Sequence, residues 1–292
     1  MKYVSYHHDT ILLGGILVGD EVSDLNQLLA AAGETEVAGL RCFLERSGSE
    51  LPAISAKLSK VIESAAIAPV GKLDAVRLGP VIPDPQKVLC IGLNYADHVA
   101  ETGRKLPEYP DIFAKFASTL IGPKDDIRCS DMTDNLDFEG ELALVIGRSA
   151  TKVNEEDALD HVAGLMVLND ITARDLQYRG TQWLAGKALD GSTPCGPALV
   201  TLDEIEDVYA LDICTRVNGV TLQSSNTRYQ IFNLARLVSY ISGFLTLNSG
   251  DIITTGTPEG IGAKHTPPLW LNSGDVVEVE VAGVGLLRNT VR

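Results

Sequence analysis

No C-x-x-C pair occurs in this chain, and its five cysteines (Cys42, Cys90, Cys129, Cys195 and Cys214) are scattered and odd in number. That pattern excludes a disulfide framework and a thiolate zinc site, so the thiols read as reduced. Cys195 reads as a small buried filler. Basic residues are also scarce: 24 Lys and Arg stand against 39 Asp and Glu, a formal net charge of −15. Nucleic acids and anionic membranes both need a basic face, so neither suits this protein as a partner. A small anionic substrate remains open, because a local lysine, arginine or metal ion can outweigh the global field. Long hydrophobic runs are missing as well. Ile11–Val18 is far too short to span a bilayer, and its flanks (His7, His8 and Asp9 before, Asp20 and Glu21 after) do not suit a signal peptide. Two short strands around Gly14-Gly15 and a cytoplasmic location are the expectation.

Several catalytic signatures are absent too. Gly180 and Gly186 have the wrong spacing for a P-loop, and Ala188 stands where its hydroxyl would be. Gly256, Gly260 and Gly262 come in the wrong order for a dinucleotide fingerprint. There is no G-x-S-x-G and no H-E-x-x-H, which disfavours the usual serine hydrolases and the zincins.

What is present is a globular composition, 292 residues with 45% hydrophobic side chains. Helical patterns appear around Leu25–Ala32 and Ile54–Ala65. Gly79-Pro80-Val81-Ile82-Pro83-Asp84-Pro85 follows as a stiff linker, since its three prolines favour extended backbone. Beyond it lie strand candidates at Val88–Leu93, Ile112–Phe116, Phe138–Ile146, Leu165–Asn169, Ala198–Thr201, Leu211–Val217, Asp251–Thr255 and Val276–Val281. Helical stretches are expected at Glu155–Val162 and Tyr229–Phe244, and an Asn-Gly hairpin turn at Val217–Val220. The whole predicts an α+β, predominantly β fold, with a small N-terminal domain over residues 1–82 and a catalytic domain over 83–292.

Glu139 and Glu141 are the most informative residues. On a strand, side chains two apart share a face. Phe138, Gly140, Leu142, Leu144 and Ile146 then form one face, and Glu139, Glu141, Ala143 and Val145 the other. Two adjacent carboxylates on a half-buried strand need a cation between them, and an all-oxygen pair suits Mg²⁺, Mn²⁺ or Ca²⁺; a solvated strand face is the plain alternative. Asp170, at the end of the run Val167–Asn169, is a third ligand or a helix N-cap. Lys187, flanked by Trp183, Leu184 and Leu189, is a partly buried ammonium or a surface lysine. Three carboxylates, one divalent ion and one lysine sum to zero charge. Asn94 can cap a helix that sets His98 and Glu101 three apart on one face, a base and its orienting carboxylate or a bland surface pair. The glycine-rich turn Thr254–Gly262 can hold a carboxylate or oxyanion through its N–H groups and the Thr257 hydroxyl, or it is merely a tight loop.

Asn94–His98, Phe138–Leu142, Asn169–Gln177, Gly186-Lys187 and Thr255–Gly262 occur in this order, and together they closely resemble the fumarylacetoacetate hydrolase family. The likeness covers roughly residues 86 to 292, and is nearest to the shorter bacterial-type and domain-containing members. The resemblance implies a mixed β-roll-like C-terminal catalytic domain, a small N-terminal α/β domain and a homodimer. It implies Glu139, Glu141 and Asp170 as metal ligands, Lys187 beside the metal-bound substrate, and His98 with Glu101 as a water-activating dyad. Gln177, Gly256 and Thr257 would bind substrate. Family members cleave or isomerise β-diketo and oxo acids. The expectation is therefore a Mg²⁺-dependent enzyme, with Mn²⁺ or Ca²⁺ as alternatives, that cleaves a C–C bond through a metal-bound enolate. The substrate would be an acylpyruvate, fumarylacetoacetate or oxaloacetate. An isomerase, tautomerase or lyase on a related oxo acid, and a non-catalytic metal-binding protein, are the alternatives.

Overall fold

The computed structural model describes residues 1–65, 67–128 and 131–292, so Cys129 lies outside it. The chain opens with strands β1 (Lys2–His8), β2 (Ile11–Val18) and β3 (Glu21–Asp24), then helices α1 (Leu25–Ala31), α2 (Leu40–Ser47) and α3 (Leu51–Glu63), and the short β4 (Gly71–Lys72). Next come β5 (Val88–Gly92), α4 (Ala96–Thr102), β6 (Asp111–Lys115), β7 (Leu120–Ile121), β8 (Leu136–Asp137), β9 (Gly140–Ile146), β10 (Val162–Asn169) and β11 (Thr172–Ala173). Helices α5 (Arg174–Gln177) and α6 (Leu184–Lys187) lead to β12 (Thr193–Val200), β13 (Asp212–Val217) and β14 (Val220–Asn226). Helix α7 (Leu234–Ser242), β15 (Ile252–Thr254), β16 (Val276–Val281) and β17 (Gly285–Thr290) complete the chain.

One mixed sheet organises these elements, in the order β4-β3-β2-β1-β12-β10-β9-β15-β5-β6, with β7 alongside β12. A second sheet runs β14-β13-β16-β17, and β8 pairs with β11 alone. Strand β9 explains why the large sheet sits at the centre. All seven of its residues are buried. Ala143 and Val145 point into a core shared with Leu28, Phe43 and Leu58 of the N-terminal helices. Leu142, Leu144 and Ile146 point into a core shared with Leu237, Val238 and Ile241 of α7 and with Val279 and Leu287 of the second sheet. The strand is thus covered on both faces rather than half-buried as expected, because a layer packs on each side.

Segments 1–82 and 83–292 share this sheet: β1 pairs with β12 at Lys2↔Val200 and Tyr3↔Leu199. The proline-rich segment between them bends at Val81–Asp84 rather than running extended as expected, and it turns apolar side chains inward. Val81 and Ile82 are fully buried, and Ser5 Oγ donates to Val81 O at 2.7 Å.

Other differences have local causes. Ile11–Val18 is one strand rather than two, because Gly14 and Gly15 keep their pairing with Ser5 and Val4. Phe138–Ile146 is divided, since Leu136-Asp137 pair with Thr172-Ala173 whereas Gly140 onward joins the large sheet. The Glu155–His161 stretch is a 3₁₀ helix. Helix α7 begins only at Leu234, where Asn233 caps it by accepting from Arg236 N–H at 2.9 Å. The hairpin at Asn218-Gly219 is present, with φ of 51° and 80° at its two central residues. No helix among the described residues is long and apolar enough to cross a membrane.

Candidate active site

Glu139, Glu141 and Asp170 converge. One carboxylate oxygen from each lies within 4.8 Å of the others, and all three residues are buried. Sheet pairing produces this: Glu141 is opposite Leu168, and beyond the strand ends Asp170 N–H still donates to Glu139 O at 2.8 Å. Asn169 Oδ1 accepts from Glu139 N–H at 3.1 Å and fixes the turn from the other side. Asp170 caps no helix.

Three buried cations meet these carboxylates, where one was anticipated. Lys187 Nζ donates to Glu139 Oε2 at 2.7 Å and to Asp170 Oδ2 at 2.8 Å. Lys115, the last residue of β6, donates to Asp170 Oδ1 at 2.6 Å and to Ile171 O at 3.2 Å. Arg174 brings Nη2 to 2.6 Å from Glu139 Oε1 and Nε to 2.8 Å from Asp137 Oδ2. Asp137 is a fourth buried carboxylate, and it also accepts N–H groups from Gly262 and Ala263 at 2.7 and 3.0 Å. The neutral sum drawn from one lysine is therefore incomplete: Lys115, Arg174 and Asp137 belong to the same charge cluster.

The charges are unevenly shared. Burial alone would raise the Glu139 carboxyl, but Lys187 and Arg174 more than offset it and bring its pKa down to about 2. Among the described residues Glu141 has no ion pair of its own. Burial, and then the charges of Asp170 and Glu139, push its pKa well above the usual carboxylate range. Its Oε2 accepts a main-chain donor, Gly256 N–H at 2.8 Å. Burial opposes the charged form of Lys187, yet Asp170 and Glu139 raise its pKa above the usual lysine value. Three convergent buried carboxylates, one of them without a cation, form an all-oxygen donor set suited to a hard divalent ion.

The expected dyad is formed on α4. His98 Nδ1 and Glu101 Oε1 are 2.6 Å apart, and Glu101 Oε2 accepts Gly260 N–H at 3.2 Å. Asn94 does not cap this helix, whose N-cap is Tyr95. Its amide instead donates to Phe232 O at 2.9 Å and Thr255 O at 2.8 Å, and accepts from Phe232 N–H at 2.8 Å. That tie joins the start of α4 to the glycine-rich loop and to the segment before α7, which explains why the latter is not yet helical.

A cleft of about 550 Å³ is lined by His98, Glu139, Glu141, Gln177, Lys187 and Thr257, among others. Gln177 Oε1 accepts from Arg174 Nη1 at 3.0 Å. Thr257 donates to Gly140 O at 3.0 Å and accepts from Gln223 Nε2 at 2.8 Å. The Gly256 N–H, expected to face a substrate oxyanion, is directed at Glu141. Cys195 is fully buried, its thiol pushed up to about 12 by burial, as expected of a filler. Lys115 and Gln223 had no sequence signal beyond their places on strands. Arg174 lies inside the recognised motif Asn169–Gln177 and Asp137 directly precedes Phe138–Leu142, and polar residues beside apolar ones there were the available clue.

Residues 87–292 match the family model described as fumarylacetoacetate (FAA) hydrolase, C-terminal. The chain is 47% identical over 212 residues to the protein named oxaloacetate tautomerase fahd2, mitochondrial, of Xenopus laevis, covering 72% of this chain and 66% of that protein. It is 41% identical over 275 residues to oxaloacetate tautomerase FAHD2A, mitochondrial, of Bos taurus, covering 94% and 84%. Maleylpyruvate hydrolase from Sphingobium sp. SYK-6, solved in complex with manganese(II) ion and pyruvate, superposes with a TM-score of 0.79 at 27% identity, covering 100% and 98% of the two chains.

Proposed function

The chain belongs to the fumarylacetoacetate hydrolase family, and on that premise we propose that it is a divalent-metal-dependent enzyme that interconverts the keto and enol forms of a 2-oxo acid of the oxaloacetate type. The observation that carries this reading is that His98, held by Glu101, lines the same cleft as Glu139 and Glu141 of the carboxylate cluster. Glu139, Glu141 and Asp170 would hold the ion, Mg²⁺ or Mn²⁺. When bound, such an ion supplies Lewis acidity to the oxygens of a 2-oxo acid. The chain's own residues do the rest. Glu101 fixes the His98 ring through Nδ1, leaving Nε2 without a protein partner among the described residues and free to take a proton from the carbon beside the oxo group. Lys187 presents an ammonium to the oxygen on which negative charge grows, and Gln177 and Thr257 border the bound acid.

Relatives named oxaloacetate tautomerase, at 41% and 47% identity, favour isomerisation over the C–C cleavage expected first. Cleavage is the second reading, because the same histidine can activate water and a structural relative is named maleylpyruvate hydrolase. A homodimer working in the cytoplasm completes the proposal, with sedimentation and fractionation as its checks. The main test is hydrogen–deuterium exchange at carbon 3 of oxaloacetate, followed by NMR with Mg²⁺ or Mn²⁺ present, alongside pyruvate release and acylpyruvate hydrolysis. Exchange that outpaces carbon dioxide loss is expected. Acylpyruvate cleavage without such exchange would replace this reading by the second, and metal binding without any turnover would leave a binding protein.

A further inference from the structure

We infer that Arg104 recognises a second, distal carboxylate on the substrate and so selects dicarboxylic over monocarboxylic oxo acids. This rests on the oxo-acid reading above and refines it at the rim of the same cleft. Arg104 follows helix α4 directly. Gly103, at φ 72°, donates its N–H to Ala100 O at 3.1 Å, and Arg104 N–H donates to Val99 O at 3.4 Å. Those two bonds form a Schellman closure, so the Arg104 backbone is tied to the helix that carries His98 and Glu101.

An aromatic wall connects Arg104 to the buried charges. Its guanidinium carbon lies 5.6 Å over the Trp183 ring. Trp183 meets Phe113 nearly edge-on, with centroids 5.5 Å apart at 70°. Phe113 in turn lies 5.0 Å from Lys187 Nζ. One wall of the cleft therefore has a cation at each end. The inner cation is engaged by Glu139 and Asp170, but the outer one has no carboxylate partner among the described residues. Arg104 is exposed at the rim of the cleft, and in a chain with 39 acidic side chains against 24 basic ones a guanidinium left there without a carboxylate is available to an anionic ligand. Asp175 also lines the cleft, but it is engaged by Arg179 and Thr133. A guanidinium over an aromatic face keeps its in-plane N–H groups free for two-point contact with a carboxylate, which an ammonium cannot make.

The distal carboxylate would then draw on a residue fixed to the His98 helix, and dianion binding would settle that helix against the cleft. Oxaloacetate and 2-oxobutanoate differ only in this carboxylate and are the probes. Their binding to metal-loaded wild type and Arg104→Gln is measured by calorimetry, and their carbon-3 exchange by NMR. Arg104→Gln should weaken oxaloacetate by about tenfold to a hundredfold, the loss of one charge-assisted contact, and leave 2-oxobutanoate unchanged. Arg104→Lys should recover part of the loss. Equal weakening of both acids, no weakening of either, or a wild type without preference for oxaloacetate overturns the inference while leaving the tautomerase reading intact. A binding preference that Arg104→Gln abolishes, in an enzyme that catalyses no exchange, would sustain the inference and overturn the tautomerase reading.

Discussion

Lys115 Nζ lies 2.6 Å from Asp170 Oδ1, and neither side chain is exposed to solvent. A buried carboxylate that loses one of its cations is left partly uncompensated, and breaking such a pair costs about 3–5 kcal/mol when no other partner remains. Asp170 keeps Lys187, so Lys115→Met should cost somewhat less. The same charge argument fixes the response to metal. Mn²⁺ or Mg²⁺ would restore the missing positive charge, so the variant should gain more in thermal stability from added ion than wild type does, where saturation to 100 times Kd contributes about 2.7 kcal/mol. Melting curves with chelator and with added ion read this directly. An equal gain in both proteins would show that Lys115 does not balance the carboxylate cluster.

The side chains proposed to carry the chemistry were legible because their types and spacing are local properties. Glu139 and Glu141 stand two apart, His98 and Glu101 three apart on a helix, and Lys187 among apolar neighbours. Lys115 was not legible. Its partner is 55 residues away, and the strand pattern around Ile112–Phe116 gives no reason why Lys115 should point inward at a carboxylate. The same limit applies to the sheet. Pairing β1 with β12 brings together residues about 200 positions apart, which hydrophobic periodicity cannot encode, so the strand of residues 2–8 could not be joined to that sheet from sequence. Asn94 shows how local rules mislead: it stands where a cap would, but its amide is used by Phe232 and Thr255.

His98→Ala removes the ring that Glu101 orients while leaving the three carboxylates untouched. Turnover should fall by about 10²–10⁴-fold, the usual contribution of a positioned acid–base group. Metal affinity measured by calorimetry should stay at the wild-type value. Near-normal turnover in this variant would move the proton transfer to another residue.

Gly140 tests whether the start of β9 is as tightly held as its contacts suggest. A methyl group there would overlap Thr215 Oγ1 and come within 3.0 Å of Val279 Cγ1, on the second sheet. Gly140 also donates its N–H to Gln223 Oε1 at 3.0 Å and accepts from Thr257, so the backbone between the two glutamates has little room to shift. Gly140→Ala should lower stability by about 1–3 kcal/mol through overpacking. Chemical denaturation reads the loss, and an unchanged midpoint would mean that the two sheets can part without cost.

In the proposed reaction Lys187 is the residue whose replacement discriminates most. It is 2% exposed, donates to two of the three convergent carboxylates, and is packed under Phe113. Gly186 beside it has no space for a side chain, since a Cβ there would come within 2.5 Å of Ala173 O and Gln177 N. The backbone of α6 is therefore fixed, and a longer side chain at 187 cannot be relieved by moving it. Lys187→Arg keeps the charge but needs a planar fork where the structure provides space for a compact ammonium, so it should not rescue activity. Lys187→Met keeps much of the length and removes the charge, and should cost about 10²–10³-fold in turnover, as for one lost electrostatic stabiliser. It should also weaken binding of the oxo acid, while metal binding persists because all three carboxylates remain. Turnover, calorimetry with the oxo acid and calorimetry with Mn²⁺ on both variants separate these effects. A Lys187→Met enzyme within a few-fold of wild type in turnover would confine this lysine to balancing buried charge and remove it from the reaction.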